Sequence, residues 1–424
     1  MDRRTITSKR TLATCYCVAL IAGLLCGGQS QGAEWPHFRG PGYDGNSPDG
    51  QIAGDGVTEV WSTGVDNGSC SVTIVDGKLF TMGNDKGSEH VVCLDAATGE
   101  EIWRFAYKCD LNPRLYPGGP NATPTIVDGH VYTISRVGQI FCLDAADGKK
   151  RWEASAEQWK AKGGWWGFSG SATVVGGLVV FNVGEKGLAL EKATGKTVWS
   201  SEKPAKAYAT VVPLLDHVFD RPALVVQTAT NIHFVDPRSG EPVFTESADW
   251  RTRVSNCNGV TPRWYDGSLY VLHAKFGLSK LALSADNGSE EWLCEAANFG
   301  RDDWFAFNQE VYHDGYALAN ISGTKREGVL VCVDVASGEV EWEKPTEFGN
   351  LLLAGDTLVK LSQMGELSWG TLDGGKYEER QRIKPLEGDR SREGKGLYWP
   401  YPVLVDGHLY AKTTKGHLTC LKFE

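Results

Sequence analysis

Positive charge is in short supply in this chain of 424 residues: 43 Lys and Arg stand against 53 Asp and Glu, a net charge of −10. That balance removes the electrostatic basis for gripping DNA, RNA or an anionic lipid surface over a broad face, so no nucleic acid partner is expected. A C-x-x-C pair, a Cys/His cluster, a phosphate-binding glycine loop and a nucleophile–base pairing are also missing. No metal ligand set and no catalytic residue can therefore be nominated. Beyond the first 32 residues no stretch approaches the ~18 apolar residues that cross a bilayer, so no membrane span is expected in the mature chain. What is abundant is glycine and tryptophan, 51 and 15 residues, in a chain that is 41% hydrophobic. Such a composition favours an ordered protein of short strands and tight turns, and asks first for an internal repeat.

Residues 1–32 read as a signal peptide. Arg3, Arg4, Lys9 and Arg10 precede an apolar run from Leu12 to Cys26, and small and polar residues follow up to Gly32. Cleavage after Gly32 or Ala33 is expected to deliver a soluble periplasmic or secreted protein. Lipid attachment at Cys26 is the alternative, opposed by Leu25 where a small residue is expected. Cys15, Cys17 and Cys26 leave with the leader. Of the others, Cys93, Cys142, Cys332 and Cys420 recur at one place in the repeat and read as small buried hydrophobes. Cys70, Cys109, Cys257 and Cys294 fall in or near inter-repeat connections, where an oxidising compartment permits disulfides of undetermined pairing.

The repeat is an apolar strand, a V-D-G-like turn, a second strand, a hairpin, a third strand and then D-x-x-T-G-x-x-x-W. The last part reads LDAATGEEIW at 94–103, LDAADGKKRW at 143–152, LEKATGKTVW at 190–199, VDPRSGEPVF at 235–244, LSADNGSEEW at 283–292 and VDVASGEVEW at 333–342. Successive final positions are 49, 47, 45, 48 and 50 residues apart. Asp95, Asp144, Asp236 and Asp334 can accept backbone N–H bonds across the turn, while the glycine that follows can take positive φ. The aromatics Trp61, Trp103, Trp152, Trp199, Phe244, Trp292 and Trp342 then project from the outer strand to wedge against the neighbouring sheet. Burying ~150–250 Å² of ring at about 25 cal/mol per Å² contributes about 4–6 kcal/mol as an upper bound. His130, His313 and His408 flank the first turns, and Glu89-His90, Lys86 and Lys325-Arg326-Glu327 read as solvated hairpin tips.

After residue 342 the seventh unit loses the T-G-x-x-x-W signature and the eighth has three strands only. VTEVW, ending at Trp61, has the sequence of an outer strand and precedes the first full unit. Placing it beside the last three strands closes the ring and removes exposed sheet edges. The expected fold is an all-β, eight-bladed β-propeller of four-stranded antiparallel blades over 57–424. An extended segment, 33–56, precedes it and lies across one face or the rim.

The D-x-x-T-G-x-x-x-W register, as in CLDAATGEEIW and CVDVASGEVEW, resembles the repeat of the pyrroloquinoline-quinone (PQQ)-type β-propeller family. The short exported chain is similar to that family's non-dehydrogenase branch, which includes the outer-membrane β-barrel assembly lipoprotein BamB. Trp35-Pro36-His37-Phe38-Arg39-Gly40-Pro41 resembles the opening of secreted bacterial PQQ-binding-like propeller proteins. For the dehydrogenases the resemblance implies long catalytic insertions, a Ca²⁺ site and often a disulfide between adjacent cysteines. This sequence has no adjacent Cys pair after the leader and no room for such insertions. No cofactor is expected, PQQ standing on family resemblance alone.

Function is expected on the face opposite the repeated turns, where the connections 107–122, 156–170, 246–260, 296–308 and 386–401 are long and unlike one another. They carry Arg114, Tyr116, Trp165, Trp166, Phe168, Trp250, Arg251, Arg253, Asn256, Asp303, Trp304, Phe305, Tyr398, Trp399 and Tyr401. Large rings in loops must pack on one another or meet a ligand, with the Arg, Asn and Asp side chains orienting it. The reading is an exported, non-catalytic binding or scaffolding propeller, monomeric, that presents this face to an envelope protein or glycan. The alternative is a PQQ-dependent or other propeller oxidoreductase.

Overall fold

The computed structural model describes residues 33–424 apart from 53, 114–115, 215–218, 220, 244–249, 252–258, 274–276, 284–287, 295–307, 323–326 and 392–393, and apart from the side chains of 250, 251, 322 and 327. It contains eight four-stranded antiparallel sheets. Seven blades are sequential hairpins over 73–108, 125–155, 173–200, 212–251, 263–294, 311–347 and 349–383. Each runs from an innermost to an outermost strand. The eighth combines Val403–Val405, His408–Lys412 and His417–Phe423 with Val57–Gly64 as its outer strand. In that pairing Trp61 stands opposite Cys420, and Gly56 and Glu424 exchange backbone bonds of 3.1 and 3.0 Å. The expected ring closure is therefore observed.

The first turn of most blades is an Asp-Gly pair with both residues at positive φ, as at Asp128 and Gly129 (50° and 71°), the twist that suits a two-residue hairpin. The second turn closes through its Asp: the Asp95 carboxylate accepts the N–H groups of Ala97 and Thr98 at 2.9 Å each. The two turns are tied together by bonds such as Ala96 N–H to the Gly77 carbonyl, 2.9 Å.

The repeated tryptophan has a specific receptor. A register shift one residue before Trp103 turns its indole toward the next blade, where Nε1 donates to the Ala145 carbonyl at 3.1 Å. The ring covers Gly148 so closely that a methyl group there would lie 2.6 Å from it. Trp61, Trp152, Trp199 and Trp292 dock in the same way on Gly99, Gly195, Gly240 and Gly338. Trp342 donates to the Gly375 carbonyl. Phe244 lies outside the described residues. Cys93, Cys142, Cys332 and Cys420 each stand opposite a docked Trp and are buried thiols.

The degenerate seventh unit follows from the same logic. Its outer strand, Lys376–Ile383, faces a blade whose third and outer strands come from distant parts of the chain, so no Asp-to-Gly turn exists to receive a ring. Gln381 occupies the tryptophan position. The aromatic is supplied from the third strand by Trp369, fully buried and edge-on to Phe423 at 5.3 Å.

Candidate functional site

The W-P-H-F-R-G-P segment does not lie along the rim; it enters the axis. Trp35 pairs with Ile74 on the inner strand of blade 1, at 2.8 and 2.9 Å, and the Pro36 carbonyl accepts from Ile126 N–H of blade 2 at 2.8 Å. Buried Arg39 donates to the Glu310 carbonyl of blade 6 at 2.7 Å, while Asp44 holds Arg263 of blade 5 at 3.3 Å. Ser47 N–H reaches the Leu353 carbonyl of blade 7 at 2.6 Å. Asp49 caps the turn of blade 8 by accepting Asp406 and Gly407 N–H at 2.8 Å each. The segment thus plugs the channel from the turn face. His37 stacks on Tyr43 at 3.8 Å, and burial pushes its imidazole down to about 4, keeping it neutral.

Above the plug, a closed circle of hydrogen bonds ties blade to blade. The links join residues two positions before the inner strands, running from blade to next blade over blades 1 to 6 and then from blade 6 to blade 8 and back to blade 1. Ser71 N–H donates to Thr123 Oγ1 (3.0 Å), Thr123 N–H to Ser171 Oγ (2.9 Å) and Ser171 N–H to Thr210 Oγ1 (3.1 Å). The circle continues from Thr210 N–H to Thr261 Oγ1 and from Thr261 N–H to Gln309 Oε1, both 3.1 Å. Gln309 N–H donates to the Tyr401 hydroxyl, and Ser71 Oγ closes on the Tyr401 carbonyl at 2.6 Å. Asn350 brings in blade 7 by donating to the carbonyls that precede Tyr401.

This ring is the floor of an axial cavity of about 160 Å³ that opens on the loop face. Phe38, at the tip of the plug, meets Tyr401 edge-on at 5.4 Å and lines it from below. Tyr116, Trp166, Tyr208, Trp399 and Tyr401 supply rings, and Ser69, Asn121 and Ser169 a second polar tier. Asn121 Nδ2 donates to the Trp166 carbonyl at 2.9 Å and to the Tyr116 hydroxyl at 3.2 Å. An aromatic path leads outward: Tyr116 lies 5.4 Å from Trp166, which lies 5.2 Å from Trp165.

Of the side chains expected on this face, the cavity gathers Tyr116, Trp166, Trp399 and Tyr401, with Trp165 at its lip. Two are corrected. Phe168 packs under the blade 2 hairpin, against Gly138 and Ala156, and Tyr398 is 1% exposed in the core between blades 7 and 8. Trp250 and Arg251 are not loop residues but the outer strand of blade 4, paired with Ile232 and Asn231. Arg114, Arg253, Asn256, Asp303, Trp304 and Phe305 lie outside the described residues.

Glu89 and His90 are corrected as well. Each reads as part of a polar hairpin tip, yet both are buried, because the blade 1 hairpin turns at 86–87 and they already pair with Tyr107 and Ala106. Tyr107 donates to Glu89 at 2.6 Å, and burial raises the carboxyl to about 7 despite nearby Arg136. Buried Arg136 donates to the Tyr116 hydroxyl and, at 3.4 Å, to the Trp165 carbonyl, so it links this pocket of charge to the cavity wall. His90 meets Asp66 at 3.3 Å, and burial lowers its pKa.

The hydroxyl circle was a signal open to sequence reading. Ser71, Thr123, Ser171, Thr261, Gln309 and Tyr401 each stand six residues before the glycine of a first turn, a repeat of polar side chains set beside the more visible V-D-G.

The fold is that of an eight-bladed β-propeller. Comparison with known proteins gives the family: residues 87–344 match the family described as Outer membrane protein assembly factor BamB, and the chain belongs to that family. The BamB protein of Burkholderia pseudomallei is 24% identical over 340 residues, 77% of this chain and 80% of that protein. That of Xanthomonas campestris is 29% identical over 105 residues, 23% of this chain and only 25% of the relative's length. Among solved structures, BamB from Moraxella catarrhalis superposes with a TM-score of 0.60 at 18% identity, covering 87% of this chain and 98% of that one. Quinohemoprotein alcohol dehydrogenase from Comamonas testosteroni superposes at 0.65 with 13% identity, covering 92% and 80%. At these identities the likeness is one of fold.

The dehydrogenase fold raises the question of a quinone. PQQ is a tricarboxylate held with calcium, which calls for cations and carboxylate ligands. Among the described residues the cavity lining has neither a charged side chain nor a His, and no group of three His, Cys, Asp or Glu side chains could hold a metal ion. The described lining does not fit that cofactor.

Proposed function

We propose that the chain is a non-catalytic scaffold of the cell envelope that assists assembly of outer-membrane proteins, delivered to the periplasm by residues 1–32 and docking a protein partner on its loop face. Family membership supports the activity class. The observation that carries the docking face is a pair of large apolar side chains standing in water there, Trp165 and Val137, 46% and 50% exposed. They neighbour one another through Arg136, whose guanidinium meets the Trp165 carbonyl. The other exposed large hydrophobics among the described residues, Val60, Ile102 and Val198, each directly precede a docked tryptophan at the strand irregularity and belong to the repeat. Val137 and Trp165 do not sit at such a repeat position, and neighbouring exposed apolar side chains on a loop face support an interaction site there.

The test is depletion of the protein in its own host, read as the fraction of heat-modifiable, folded outer-membrane β-barrel protein. The fraction falls on depletion and is restored by the natural chain. A Trp165→Ala, Val137→Ser chain that melts at the natural temperature fails to restore it. Full restoration by that variant contradicts the docking face, and no change on depletion contradicts the assembly role.

A further inference from the structure

We propose that the axial cavity binds one neutral hexopyranose ring, such as the terminal residue of a glycan. Four observations converge on this class of ligand, independently of the docking of a protein on the loops above.

The first is charge. The described lining carries no charged side chain, so none of the described residues there would pair with a carboxylate, phosphate or ammonium group. The second is the pairing of surfaces. Tyr116, Trp166, Tyr208, Trp399 and Tyr401 line the cavity with ring surface, while the floor is polar, so a purely apolar guest would leave that floor unmatched and a sugar, with its C–H faces and its hydroxyls, matches both. The third is hydrogen-bond polarity. Thr210, Ser171 and Thr261 each already accept a backbone N–H from the preceding blade, so each keeps its own O–H proton to give. Ser69 Oγ is buried and makes no hydrogen bond. Asn121, with its amide N–H groups donated to Tyr116 and Trp166, keeps its carbonyl as an acceptor. Fixed donors with an acceptor beside them match the hydroxyls and ring oxygen of a sugar. The fourth is size. At about 160 Å³ the cavity is smaller than the ~300–1,000 Å³ of sites for drug-sized ligands and suits one ring; an extended peptide would need more length, and a peptide terminus a counter-ion.

The experiment is titration of the full exported chain with methyl β-D-glucopyranoside and with N-acetylglucosamine, read by tryptophan fluorescence and by saturation-transfer NMR. Glucuronate and a short neutral peptide with an aromatic end are run alongside. The expected result is saturable binding of at least one neutral sugar with Kd on the order of 1 mM. Glucuronate binds at least about tenfold more weakly, and Trp399→Ala and Tyr208→Ala each weaken the sugar about tenfold. Should either variant fail to fold, Trp166→Ala on its half-exposed loop gives the same readout. The proposal is overturned if no neutral sugar saturates, if glucuronate or the peptide binds as well or better, or if affinity survives in every folded variant. None of these results bears on assembly activity, which is read from Trp165 and Val137.

Discussion

The two faces of this propeller are built on opposite rules. On the turn face, every described junction that has an Asp-to-Gly turn also has a tryptophan from the preceding blade seated on it. On the loop face the connections differ in length and sequence apart from the polar residue that recurs before each inner strand, and there the fold tolerates Glu89, Arg136 and a described cavity lining of neutral polar and aromatic side chains. The repeat marks where the molecule is held together, and departures from it mark where side chains are free to do something else. The seventh unit confirms the rule from the other side, for its tryptophan is missing where the receiving turn is missing.

That contrast can be broken most severely at the docked rings. Trp152→Ala removes a ring 8% exposed together with its bond to the Lys192 carbonyl, and is expected to cost about 3–5 kcal/mol in urea unfolding. Gln381→Ala, at the same position of the blade that docks nothing, should cost less than about 1 kcal/mol. Equal losses would show that the ring position matters without its receptor.

On the loop face the next largest effect is pH-dependent. Glu89 titrates at about 7 when folded against 4.5 as the ordinary value, so the folded chain holds the extra proton and stability falls as pH rises across that window. Glu89→Gln should therefore be up to about 3 kcal/mol more stable than the natural chain at pH 8, an advantage that vanishes below pH ~4.5. Denaturation midpoints across pH check this, and parallel curves for the two chains would refute it.

Two glycines sharpen the comparison within a single blade. Gly129 and Gly148 both have φ of 71°, but a methyl group at Gly129 meets open space and one at Gly148 meets Trp103. Alanine at Gly129 should cost about 1 kcal/mol of backbone strain, and at Gly148 about 1–3 kcal/mol more. Smallest is the hydroxyl circle: Thr210→Val leaves Ser171 N–H without its acceptor and should lower stability by about 1 kcal/mol.

The architecture was legible because the residues that carry it repeat. The glycine, the aspartate and the ring recur at fixed offsets, and VTEVW has the sequence of the strand that the last unit lacks. The site was legible only in part, since a loop residue's direction depends on neighbours that no periodicity reports. Tyr398 and Tyr401 are three residues apart, yet one fills the core between blades and the other closes the hydroxyl circle. Glu89 looks like a hairpin tip, but the turn is at 86–87 and Glu89 is already inside the sheet, paired with Asn84 and Tyr107. The plug was beyond reach for a further reason: Arg39 and Asp44 find partners more than two hundred residues away, at Glu310 and Arg263.

The division between a face that builds and a face that binds is tested most directly by photo-crosslinking in the intact envelope. A photoreactive residue is placed at position 165 on the loop face in one chain and at Lys149, exposed on a blade 2 turn, in another. The account predicts a discrete partner adduct from 165 and none from 149. An adduct from 149 alone, equal adducts from both, or none from either would contradict it.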